Sequence, residues 1–130
     1  MRIQYIKYCK YNWNIIIYYN TSIKDKKEIL YLLKYLKCNK KDINKSMHLL
    51  KYYNKAFICT NSKLKLSFVC INKTTNEAQF MNSLSHEVKH IVEDICATYD
   101  ISLKGEESAY MIGEITMIMF HIFKDIICNC

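Results

Sequence analysis

Four histidines occur in this chain of 130 residues, and two of them stand in the run Ser85-His86-Glu87-Val88-Lys89-His90. On an α-helix, His86 and His90 are one turn apart and project from the same face. Two imidazoles so placed can hold two corners of a tetrahedral Zn²⁺ site, one ion per chain. Glu87 then sits beside the metal, where a carboxylate can take a proton from a water held there. A surface helix with two exposed histidines has the same spacing, so the flanking residues have to decide.

Those residues describe a helix that faces a core. Phe80, Leu84, Val88, Ile91 and Ile95 form an apolar stripe that Met81 and Val92 widen, at the spacing of an amphipathic helix. His86, His90, Glu93 and Ala97 fall on a neighbouring face, which predicts a site at the edge of the core. Thr75 or Asn76 can cap the start, and the helix should fade near Asp100.

A third ligand is then required. After a turn at Ile101–Gly105, Glu106 and Glu107 open a second amphipathic helix, expected to reach about Phe123. Ala109 and Gly113, four apart, offer a groove for a neighbouring helix backbone, and Glu106 shares their face. If the groove holds the HExxH helix, Glu106 completes a His₂Glu set. Glu107, rotated by about 100°, ranks second, an order that a helix start can invert. Both glutamates also suit the positive end of a helix dipole without any metal. Tyr110, one turn after Glu106, could donate to an oxyanion, although aromatic residues at such positions usually pack. Tyr110, Gly113, Met117, Phe120 and Phe123 are expected on or beside the inner face of this helix. So apolar a helix is either central or docked on a partner.

HExxH followed by a second helix with a glutamate in an ExxA-type setting resembles the gluzincin branch of the zincin metallopeptidases. The run SHEVKHIVEDICATYDISLKGEESAYMIGEI is also similar to small metallopeptidase-like proteins encoded by phages and prophages of gut Bacteroidetes. The likeness covers Ala78 to Ile118. It implies a zinc-dependent peptidase, a hydrolase of peptide or protein amide bonds. His86, His90 and Glu106 (or Glu107) would be metal ligands and Glu87 the general base. Larger gluzincins carry a further domain that walls the cleft and supplies a His or Tyr to the transition state, and this chain is too short for one. The alternative is therefore a zincin-fold structural or interaction protein without strong catalysis, such as a virion component, with a phage or host partner on the last helix. Host cytoplasm and virion are the two locations implied.

The remaining chain supplies the scaffold, expected to be a single minimal zincin-like domain over 1–130. Its fold class reads as α+β, a small antiparallel sheet with packed helices. Strands are expected at Ile3–Cys9, Ile15–Tyr19, Ala56–Thr60 and Leu64–Ile71, with turns at 12–14 and 61–63. Helices are expected at Lys24–Lys37 and Asp42–Tyr53, with His48 a boundary residue. The Leu64–Ile71 strand should bury one face; zincin likeness suggests that it could be the sheet edge that holds an extended peptide, and a plain structural hairpin with Ala56–Thr60 is the equal alternative. The formal charge of +7 is spread as scattered lysines, which argues for solvated faces and against a specific nucleic-acid site. A basic binding module with an accidental HExxH is the remaining rival. No apolar run is long enough for a membrane span, and lysines interrupt any signal-peptide pattern. Seven cysteines show no CxxC spacing. Cys59, Cys70 and Cys96 are expected as buried free thiols in a reducing compartment, with Cys128 and Cys130 able to bind metal adventitiously.

Overall fold

β-Branched and aromatic residues make the two N-terminal strands, β1 (Arg2–Tyr8) and β2 (Trp13–Thr21). A computed structural model of the protein describes residues 1–128. Cys130 lies outside them. The turn expected at 12–14 falls earlier: Cys9–Tyr11 forms a 3₁₀ turn closed by Asn12 in the left-handed region, and Trp13 already begins β2. Helices α1 (Lys26–Tyr35) and α2 (Lys40–Leu49) follow, then β3 (Ala56–Asn61), β4 (Leu66–Asn72), α3 (Glu77–Tyr99) and α4 (Glu106–Cys128). Asn76 caps α3 by accepting from the Gln79 N–H, and Asp100 ends it in the left-handed region.

The fold is α+β and small. Its four strands run in the order β1-β2-β4-β3. The two outer ladders are antiparallel and the central β2–β4 pair is parallel, so the sheet is mixed. The parallel pair arises because the chain crosses over through α1, α2 and β3 before β4 returns beside β2.

Helices cover both faces. On one side Ile15, Ile17 and Tyr19 of β2 and Val69 and Ile71 of β4 pack on α3 and α4. On the other, Tyr18, Phe68 and Cys70 pack on Ile29 and Leu33 of α1 and on Leu36, which caps its end. β4 is therefore buried on both faces from Ser67 to Asn72, where one buried face was expected. It is also an interior strand. The edge that borders the HExxH helix belongs to β3.

The α3 stripe is buried as its spacing predicted: Phe80, Leu84, Ile91 and Ile95 are fully enclosed. The inner face of α4 differs from expectation. Ser108, Met111, Ile115, Met119 and Phe123 are buried, whereas Tyr110, Met117 and Phe120 face outward. Ala109 and Gly113 are exposed, and a Cβ added at Gly113 would meet nothing. The groove expected there is not used. Both apolar stripes of α4 have the same period, and the one in which branched and long side chains fill the space beneath the sheet wins the burial.

Cys59 is not a free thiol: it is bonded to Cys38, tying β3 to the α1–α2 connection. Cys70 and Cys96 are free and buried as expected. Among the described residues no helix is long and apolar enough to cross a membrane.

Candidate metal centre and its cleft

One turn of α3 separates His86 and His90, and their rings meet edge to face with centroids 4.5 Å apart. The two Nε2 atoms stand 3.0 Å from each other. Two nitrogens bound to one tetrahedral zinc at ordinary Zn–N distances would be about 3.3 Å apart. At this separation one neutral ring donates Nε2–H to the Nε2 lone pair of the other, the tautomers deciding which. Glu93, three residues on, places Oε1 3.6 Å from Nδ1 of His90, on the side of the ring away from the Nε2 pair.

Glu87 points inward. It is only 3 % exposed, and among the described residues its Oε2 has no hydrogen-bond partner. Burial raises its carboxyl to about 7, near the value that suits a general base at neutral pH. His86, Glu87 and His90 open together onto a hollow of about 280 Å³, walled by α2 with Asp42, Lys45 and Ser46 and floored by Ala56–Ile58 of β3. A second hollow of about 400 Å³ continues along β3 and shares Asp42, Ser46, Ile58 and His90 with the first. The pair of hollows forms one cleft along the edge of β3, which pairs only with β4.

A polar relay fixes α3 against this strand. Trp13 Nε1 donates to Ser67 Oγ at 3.0 Å, and the Ser67 and Thr60 hydroxyls lie 2.8 Å apart. Thr60 Oγ1 donates onward to Asp94 at 2.6 Å. Burial pushes the Asp94 carboxyl up, opposed by this hydrogen bond.

The expected third ligand is not brought to the histidines. Glu107 accepts from Tyr11 Oη and Lys10 Nζ, both at 2.7 Å, and these bonds hold its carboxyl below the usual range. Tyr11 in turn stacks against Tyr99 and accepts the Tyr99 hydroxyl on its carbonyl. Tyr99 lies nine residues beyond His90, about 13 Å along the helix and on its opposite side. Glu107 thus pins α4 to the β1–β2 turn. Glu106 is exposed on the Ala109–Gly113 face, and Tyr110 on α4 is 60 % exposed. Neither faces the cleft. Their displacement follows from the choice of the Met111–Ile115–Met119 stripe as the inner face.

The histidine pair and Glu87 therefore fit a zinc site in two ligands and a base. Among the described residues no three His, Cys, Asp or Glu side chains are grouped to hold a metal. The acidic groups that line the cleft, Asp42 and Asp94, were missed by sequence reasoning. Asp94 had a local signal, four residues after His90. Asp42 had none, since a first-turn aspartate explains itself by the helix dipole.

The chain matches no protein-family model, no curated protein and no solved structure.

Proposed function

We propose that the protein is a zinc-dependent peptidase that cleaves an extended peptide lying along β3. The observation that carries this reading is the convergence of the His86 and His90 Nε2 atoms beside a buried Glu87 carboxylate whose Oε2 has no partner among the described residues. His86 and His90 would hold the ion by Nε2. A bound Zn²⁺ supplies Lewis acidity that polarises a carbonyl and eases deprotonation of water. Glu87, with its carboxyl raised to about 7, removes the proton of the attacking water and passes it to the leaving amine. The free N–H and C=O groups of β3 would hold the substrate backbone in register by strand addition, with α2 as the opposite wall of the cleft.

Purified wild-type protein should contain about one zinc per chain, lost in His86→Ala and in His90→Ala. Glu87→Gln should keep the zinc and lose peptide hydrolysis. Hydrolysis by Glu87→Gln equal to wild type would remove the role assigned to Glu87.

A second reading, a structural or interaction protein on the same fold, is favoured by one feature. Tyr110, Met117 and Phe120 make an exposed apolar stripe on the outside of α4. A zinc-loaded protein that hydrolyses nothing and stays bound to a partner through this stripe would select it. Phage origin and a host or virion location belong to the resemblance and stand with either reading.

A further inference from the structure

Resting on the zinc reading above, we infer that Asp42 of α2, and not a glutamate of α4, supplies the third protein ligand of the metal. Three other carboxylates of α3 and α4 are engaged. Glu93 lies against Nδ1 of His90, Asp94 accepts from Thr60, and Glu107 is held by Lys10 and Tyr11 at the far end of α3. Asp42 lines both hollows, the first with His86 and His90 and the second with His90. It is exposed, and among the described residues its carboxylate has no hydrogen-bond or ion-pair partner. Only its backbone N–H is used, capped by Asn39.

The hollow that Asp42 walls is the one lined by the orphaned Glu87 carboxylate on which the zinc reading rests. The Glu87 carboxylate is buried at its base with one oxygen unpaired. A buried acceptor without a donor costs about 1–3 kcal/mol, a cost that a cation and its attendant water in the hollow would relieve. Asp42 completes the set by turning its side chain from solvent into the cleft, a change of rotamer within one helical position. Lys45, on the same wall, is exposed on a flexible stem and can keep its ammonium in water while that happens. The site so formed is a His₂Asp set closed by the helix that walls the cleft, with one corner left for substrate.

Zinc titration of the full chain against a chromogenic chelator tests this directly, with Co²⁺ absorption as a second readout of ligand number. Wild type should bind one ion. Asp42→Ala and the isosteric Asp42→Asn should each weaken binding by about tenfold or more, since even outer-shell partners of a metal site contribute that much. A Glu106→Ala, Glu107→Ala double variant should bind like wild type. Undiminished binding in folded Asp42→Asn, or loss of binding in the double variant, would overturn the assignment. Absence of binding in wild type would overturn it too, and would be distinguished as a failure of the zinc reading itself.

Discussion

Glu87 differs from its neighbours in being the one member of the HExxH run that is both ionisable and buried. Its carboxyl is raised from 4.5 to about 7 by desolvation, so the folded state holds its proton more tightly than the unfolded state does. The sign follows: the metal-free protein is not penalised by this group below pH 4.5 and loses stability as pH rises through about 7. A shift of this size corresponds to roughly 3 kcal/mol. Denaturant melts of apo wild type and apo Glu87→Gln at pH 5 and pH 8 should show the wild type losing most of that amount relative to the variant. Parallel pH dependences would mean that Glu87 is solvated. The residue types and spacing of His86, Glu87 and His90 were legible in the sequence, and so was their place at the rim of the core. Glu87's burial was not, because it depends on β3 lying across it.

The boundaries of α3 were read well because local chemistry decides them. Asn76 caps α3 and Asp100 closes it, and the apolar stripe between them is buried as its period requires. α4 shows where local reading stops. Two apolar stripes share one helix, and only the shape of the sheet beneath selects Met111–Ile115–Met119 over Tyr110–Met117–Phe120. The glutamates rotated with that choice. A scarcity of glycine also leaves its mark on the elements. Among the described residues, six left-handed positions fall on Asn, Asp and Lys, including Lys37 at the end of α1. Cys38 N–H bonds back to Leu33 and Lys37 N–H to Lys34 there, the pattern that favours glycine at the left-handed residue. Lys37→Gly should stabilise the protein by about 1 kcal/mol, measured as a higher Tm; an unchanged or lower Tm would show that the position carries no strain.

At the scale of the molecule, α2 is held over the cleft by a covalent ring. The Cys38–Cys59 bond spans 21 residues of sequence and encloses the whole of α2, so the wall of the cleft cannot drift far from β3. Such a loop is worth about 3 kcal/mol in the chain-entropy account. A Cys38→Ser, Cys59→Ser double variant should show a loss of that order in chemical denaturation, and equal stability would mean that the unfolded chain is not constrained by the link. Nothing in the cysteine spacing announced the pair, because its partners meet only when the crossover brings the α1–α2 connection beside β3. The mixed sheet was hidden for the same reason, since strand order is set by a connection some forty residues long. β3 also ends the sheet, and an edge strand in general presents a row of backbone donors and acceptors that does not distinguish one extended chain from another, a second copy of the same chain included. Charged side chains line that opening, Asp42 and Lys45 on α2 and Asp94 on α3, and charge beside an open strand edge disfavours pairing with another chain.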